Sequence, residues 1–518
     1  MHRRDLLKKS LIIGGGLGST IGSTTTRYWA DNSSKIASNP FQLGIASGDV
    51  TADSVILWTR LVTRPEDSDG GMGEKVAPVT WQIAQDHSMQ HVIQQGEQYA
   101  HPMLAHSVHI DVQGLKPGTE YWYRFSVDGH TSPVGRTKTL PAGADVTTRF
   151  VTTSCQNYTH GYFVAYRHMV ADAPDFVIHL GDYIYDTSFG ETFRRHDSEE
   201  APQSVSQFRR RHALYKTDQD LQHAHSQLPF FTVLDNHDAI EDNDPSLYSV
   251  RAAAYQAWYE HMPVRGFDFK SPNSFDMARV IELGELMQIN LLDTRQYRDK
   301  KDLCRDNIKK AVGFGNYRER CDTLFDEQRT MLGHVQEEQL YRSIRGNSAT
   351  WNVVASSVPV MPFRVQVDGD QYGYIGSWDA YPANRRRLAE AFEQAQTGQA
   401  VVLSGDLHSF WAMNGHRIQS PEDHVPAIEL VSSSISANWP KPLSEPISRS
   451  LNDNPHVDYY EGSKRGYLLH DVDVSEWRSR YRAVEDSTSL DASVRDIRRY
   501  RLPRGSKELQ GVSLDEKF

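Results

Sequence analysis

Cysteine, positive charge and long apolar runs are all in short supply in this chain of 518 residues. Three cysteines exclude a disulfide-dense scaffold and a zinc module built on four thiolates. Lys and Arg number 56 against 67 Asp and Glu, a net charge of −11. That balance argues against a general nucleic-acid binder, whose grip on phosphate backbone comes from clustered Lys and Arg. No uncharged apolar run reaches the ~18 residues that a membrane span needs, and no repeat period or long low-complexity run is present. What the chain does hold is 38% hydrophobic residues, with 10 Trp, 24 Tyr and 19 Phe. This is enough apolar material for a sizeable core, so wholesale disorder is ruled out. The length allows about three domains, or two larger ones.

The first residues read Met1-His2-Arg3-Arg4-Asp5-Leu6-Leu7-Lys8-Lys9, followed by a weakly apolar, Gly-rich stretch over 11–21. Paired arginines before a modest apolar segment resemble a twin-arginine export signal, with Tyr28-Trp29-Ala30 as the cleavage region. Export in the folded state suits a protein that must load a metal first. Residues 1–30 are therefore set aside as an address read by the twin-arginine translocase, with the periplasm or the exterior as destination. In an oxidising compartment Cys304 and Cys321 either pair, closing a loop worth ~3 kcal/mol in the chain-entropy model, or stay as two thiols.

Two textures follow. Over residues 40–141 short strand-like runs (54–61, 79–84, 106–112, 121–127) are separated by Gly, Pro and Asp, the rhythm of an antiparallel β-sandwich. Residues 114–123, Gly-Leu-Lys-Pro-Gly-Thr-Glu-Tyr-Trp-Tyr, resemble the tyrosine-corner turn of fibronectin type III and immunoglobulin-like domains. Pro141-Ala142-Gly143 reads as a linker. Over residues 148–518 continuous apolar runs (150–154, 176–180, 230–234, 287–292, 351–356, 400–403) alternate with helical stretches such as 251–261 and 383–396. This indicates an α/β arrangement of buried sheets covered by helices. The tail from Ser487 is charged and helix-prone around 493–501.

In such folds ligands collect where strands end in loops. Four apolar runs end in candidate metal ligands: at Cys155, at Gly181-Asp182-Tyr183-Ile184-Tyr185-Asp186, at Asp235-Asn236-His237-Asp238, and at Ser404-Gly405-Asp406-Leu407-His408. One such ending is ordinary turn chemistry; four in this order are not. Two-metal phosphoester hydrolysis needs a bridging carboxylate between ions ~3.5–4 Å apart, and Asp182 is the natural bridge. A Cys155 thiolate and a Tyr185 phenolate favour a highly charged ion such as Fe(III), with His408 completing that site. Asp182, Asn236 and Asp406 offer oxygen donors alone, which suit Ca or Mg. His237, beside these ligands, is placed to protonate the leaving oxygen or hold a phosphate oxygen. Asp238 is expected to orient it, and Asp235 to shape the turn.

The order Cys, Gly-Asp-x-x-Tyr, Asn-His-Asp, Gly-Asp-x-His resembles the calcineurin-like metallophosphoesterases, and most closely the PhoD-type alkaline phosphatases. Supporting stretches are 41–60, 252–263, Leu292-Asp293-Thr294-Arg295-Gln296-Tyr297-Arg298 and 377–382. The resemblance implies a small immunoglobulin/fibronectin-like β-sandwich followed by a four-layer α/β/β/α catalytic domain. It further implies phosphoester hydrolysis by a metal-bound hydroxide at an iron–calcium centre. Carried over by position, Cys155, Asp182, Tyr185 and His408 match the Fe(III) ligands, Asp182, Asn236 and Asp406 the Ca(2+) side, and His237 the phosphate-side histidine. The family also grips phosphate with an arginine; Arg194 is preferred here over Arg195. One departure is Leu234-Asp235-Asn236-His237-Asp238, where the family commonly has Trp-Asp-Asp-His-Glu, which removes one negative charge from the calcium side. The expected activity is that of a secreted alkaline phosphatase acting on phosphomonoesters, and on phosphodiesters as a further class. The alternatives are a phosphodiesterase or phospholipase D-like hydrolase on the same centre, and a secreted metal-binding protein without turnover.

Overall fold

The buried runs Thr148–Thr153, Phe176–His179 and Pro229–Thr232 pair in parallel at the middle of a ten-stranded mixed sheet. Their residues are almost all buried, as expected of strands covered on both faces. In this computed structural model the described residues are 35–144, 146–239, 245–266, 271, 274–301, 303–304, 317–516 and 518. The proposed signal, residues 1–30, lies outside them. Residues from Ser38 onward form one compact unit.

A second, seven-stranded sheet has Met287–Leu291, Trp351–Ser356, Gln399–Ser404 and Ile428–Val431 in parallel at its centre, with antiparallel strands at both edges. The two sheets touch through side chains. The Thr152 and Ser432 hydroxyls lie 2.7 Å apart, the Tyr481 hydroxyl donates to the Trp411 carbonyl, and Trp351 meets Trp477 edge-on. Helices flank the pair. Pro382–Gln394 and His334–Gly346 are joined by the Arg387–Glu337 ion pair, and the Asn352 side chain donates to the carbonyl of Ile344 at the end of the latter. Val205–Lys216, Gln219–Gln227 and Tyr248–His261 lie on the side of the ten-stranded sheet.

The segment 40–141 does not stand apart from the catalytic part. Ile45–Gly48 pairs in parallel with Pro229–Thr232, and Ser54–Arg60 and Ser107–Gln113 continue the same ten-stranded sheet. Only Ala77–Ala84, Val92–Ala100, Glu120–Val127, His130–Thr131 and Gly135–Lys138 make a sheet of their own. The reason lies in the burial of Ile45–Gly48 and Ser54–Arg60 along their whole length. Strands without a polar face need cover on both sides, and the catalytic part supplies it: the Trp58 indole N–H, for example, donates to the Glu260 carbonyl. The tyrosine-corner reading is matched by a hydrogen bond from the Lys116 N–H to the Tyr121 hydroxyl at 2.9 Å.

The tail is not helical either. Val494–Pro503 is a strand paired with Glu476–Val484, and Gln510–Val512 extends the edge. Tyr500 and Leu502 are buried in the core while Arg499 and Arg501, which alternate with them, are half-buried. That period of two wins because pairing satisfies a whole row of backbone groups, whereas helix propensity is worth only tenths of a kcal/mol per residue.

Candidate metal centre

The strand ends converge. The C-terminal ends of Thr148–Thr153, Phe176–His179, Pro229–Thr232 and Gln399–Ser404 deliver Cys155, Asp182 with Tyr185, Asn236 with His237, and Asp406 with His408 respectively. Among the described residues, eleven non-glycines have positive φ, and Cys155, Asp182, Asp406 and His408 are four of them, at 57°, 55°, 68° and 49°. Left-handed backbone at a non-glycine costs of order 1 kcal/mol and persists where the surroundings over-determine it. Here tight turns aim consecutive side chains at one point. Gly181, at φ 96°, permits the closest approach, since a Cβ there would sit 2.4 Å from the Asp235 Cβ. The Cys155 and Gln156 N–H groups donate to the carbonyls of Gly181 and Asp182, stitching the first two turns together.

Donor atoms of Cys155, Asp182 and His408 all lie within 4.8 Å of one another, with Cys155 Sγ 3.7 Å from Asp182 Oδ2. The Tyr185 hydroxyl meets His408 Nε2 at 2.9 Å. His408 Nδ1 faces the Asn438 carbonyl at 2.8 Å. A carbonyl only accepts, so the proton sits on Nδ1 and Nε2 keeps its lone pair. Asn236, Asp406 and His237 line the same cleft, about 230 Å³ in volume. The His237 N–H donates to Asp182 Oδ1 at 3.1 Å.

Burial raises the Asp182 carboxyl to about 6, and burial together with the Asp235 charge raises Asp406 to about 8. Burial and then Asp182 push the Cys155 thiol up. Burial lowers His408 to about 3, which keeps its imidazole neutral. For His237 burial works downward, but the Asp182 charge and the bond to Asp186 win and raise it to about 9. Asp406 Oδ2 is buried without a hydrogen-bond partner, a costly state for a carboxylate. A buried thiol, two carboxylates short of cations, a neutral imidazole and a phenol at one point fit bound metal ions.

A family model, "PhoD-like phosphatase", matches residues 150–481, and its companion, "PhoD-like phosphatase, N-terminal domain", matches 26–141. Alkaline phosphatase D of Bacillus subtilis (strain 168) is 35% identical over 514 residues, covering 95% of this chain and 86% of that protein. The chain belongs to the PhoD-like phosphatase family. It is a phosphoric ester hydrolase. A solved structure of PhoD superposes with a TM-score of 0.84 at 34% identity, covering 93% of this chain and 94% of that one. The purple acid phosphatase PPD1 of yellow lupin seeds shares the fold, with a TM-score of 0.53 at 13% identity over 89% of this chain and 74% of its own. Relatives of this metallophosphoesterase type imply a metal cofactor.

Three expectations for this PhoD-like phosphatase are corrected by its geometry. Arg194 is not brought to the cleft. Its guanidinium donates to the Tyr158 and Gly161 carbonyls, pairs with Asp218 at 2.9 Å and lies 3.7 Å over the Tyr158 ring. Arg195 is exposed and also absent from the lining. The arginine of the cleft is Arg295, which is paired with Asp235 and donates to Asn236 Oδ1 and Asp406 Oδ1, each at 3.3 Å. The residue that orients His237 is Asp186, 2.6 Å from Nδ1. Asp238 instead accepts the N–H groups of Ile184 and Asp235, bracing both ligand loops. Asp235 does more than shape a turn, since it carries the Arg295 pair and a hydrogen bond from Ser357. The signal for Arg295 in the sequence is its place in a stretch that resembles the family, and for Asp186 its place at the end of the Gly181–Asp186 turn.

Proposed function

We propose that this chain is an exported alkaline phosphatase that hydrolyses phosphomonoesters, and phosphodiesters as a second class, at an iron–calcium centre. The observation that carries the reading is the convergence of Cys155, Asp182 and His408 beside Tyr185, all deeply placed and three of them on left-handed turns. Cys155, Asp182, Tyr185 and His408 would hold Fe(III), and Asp182, Asn236 and Asp406 would hold Ca(2+). When bound, these ions supply an acidified water and neutralise phosphoryl charge. The chain's own residues do the remainder. Asp182 would be shared between the two ions. His408 is kept as a neutral donor by the Asn438 carbonyl. Asp186 fixes His237 through Nδ1, which leaves Nε2 to hand a proton to the departing alkoxide. Arg295 balances the charge of Asp235 and Asp406 from behind the ligands. The Cys304–Cys321 disulfide supports an oxidising destination. No helix among the described residues is long and apolar enough to cross a membrane.

Metal analysis, the visible spectrum and hydrolysis of p-nitrophenyl phosphate with and without calcium test the reading together. About one iron per chain, a charge-transfer band that disappears in Cys155→Ser or Tyr185→Phe, and calcium-dependent turnover are expected. Colourless protein active with zinc or manganese would remove the iron assignment, Cys155 first.

A further inference from the structure

The mouth of the cleft is chemically unlike its floor. Tyr317 and Tyr374 face each other across paired strands, with ring centroids 5.3 Å apart, and both line the cleft. Trp439 lines it too. Its indole N–H is engaged by the Ser444 hydroxyl at 2.9 Å, so the ring is held in place by the helix Lys441–Ser450. Phe189 completes the set. It is 38% exposed, and its ring lies parallel to His408 at 6.4 Å. Tyr317 belongs to the buried core and Tyr374 and Trp439 pack against it, so their rings are fixed, while Phe189 is the exposed one of the four; fixed aromatic faces beside a hydrolytic floor can stack with a planar group.

The charge of the lining points the same way. Among the described residues Arg295 is its single Arg or Lys, and it is already bonded to Asp235, Asn236 and Asp406. The second basic candidate, Arg194, is tied to Asp218 away from the cleft. A leaving group that carries a further phosphate or a carboxylate therefore meets aromatic faces rather than a guanidinium. An uncharged planar group meets surfaces that stack with it.

We propose that Trp439 and Phe189, with Tyr317 and Tyr374 behind them, form a leaving-group subsite that selects phosphoesters of uncharged planar alcohols over those of small polyols or of anionic alcohols. This rests on the reading of the cleft as the phosphoester site. The metal-loaded full chain is assayed on 1-naphthyl phosphate, glycerol 2-phosphate and fructose 1,6-bisphosphate, in wild type, Trp439→Ala, Trp439→Phe and Phe189→Ala. Intrinsic reactivity of the esters cancels when each variant is compared with wild type on the same ester. The subsite requires kcat/KM on 1-naphthyl phosphate to fall about tenfold in Trp439→Ala and to recover in Trp439→Phe, with glycerol 2-phosphate changed less than twofold. Equal losses on both esters, or none, overturn it while leaving the phosphatase intact. Wild type inert on all three esters overturns the phosphatase reading and the subsite with it. Wild-type inhibition supplies a check independent of variant folding: 1-naphthylphosphonate should bind at least tenfold more tightly than methylphosphonate, and equal inhibition would refute the subsite.

Discussion

Two clusters of buried aspartates sit in this molecule, and they are solved in opposite ways. Beside the seven-stranded sheet Asp379 and Asp423 are gripped by Arg364, Arg385 and Arg320. Arg364 reaches both acids at 2.5 and 2.9 Å, Arg385 reaches Asp379 at 2.9 Å and also pairs with Asp423, and Arg320 reaches Asp423 at 3.1 Å. Burial alone would raise these carboxyls, yet the guanidinium charges hold both below the ordinary range. At the strand ends Asp182, Asp235 and Asp406 are similarly buried and have the Arg295 guanidinium and the His237 imidazolium to share. There Asp182 rises to about 6 and Asp406 to about 8. Residue type and depth are the same, so the count of cations supplied by the chain separates a scaffold from a site. Where the chain withholds them, bound ions are the natural complement.

The largest expected effect breaks the site and spares the scaffold. Asp182→Ala should cost at least about 10³-fold in kcat/KM, because several kcal/mol of metal-derived charge stabilisation disappear. Its effect on the metal-stripped protein should be neutral or stabilising, since one buried acid without enough cations is removed. A metal-stripped variant that melts well below metal-stripped wild type would contradict the charge-deficit account.

Asp423→Ala inverts the pattern. It strands Arg364, Arg385 and Arg320 without a full set of counter-charges, so urea unfolding should show a loss of about 3–5 kcal/mol with metal content retained. The Asp423 carboxyl is depressed in the folded state. Its stabilisation is therefore present above the unfolded value near 4 and is lost as pH falls toward the folded one. Unchanged urea midpoints in the variant would show the network to be dispensable.

A third buried cluster, wholly basic, sharpens the comparison. His179, His212, His225, His261 and Lys216 are buried together around Tyr183 and Trp58. Burial lowers His179 to about 3 and Lys216 to about 7, and pushes the other three histidines down as well. These imidazoles stay neutral when folded but protonate near 6.5 when unfolded. Stability should therefore fall with pH below that value, by roughly 1 kcal/mol per histidine between pH 7 and 5.5. In metal-stripped protein Asp406 works against this, because it is protonated when folded and ionised when unfolded. The acid loss should thus be steeper in the loaded enzyme, and denaturant midpoints at the two pH values that coincide would rule the cluster out as the source.

Every proposed ligand was readable in the sequence because each follows an apolar run: the run forms a buried strand, and Gly-Asp or Asn-His at its end forms the turn. Those are local matters, decided within a few residues. What local chemistry does not decide is which strand finds which neighbour. Ile45–Gly48 reads as part of a small sandwich, and nothing local shows that it also pairs with Pro229–Thr232, some 180 residues away. Residues 493–501 read as helix until Glu476–Val484 offers an open edge. Arg194 and Arg295 are indistinguishable as isolated arginines, and only packing ties the first to Asp218 and slides the second behind Asp235 and Asp406. The strand-end donors are thus written in the chain itself. The counter-charges, the orienting Asp186 and the aromatic mouth arise only when distant segments fold together, because burial and Coulomb energy depend on neighbours in space.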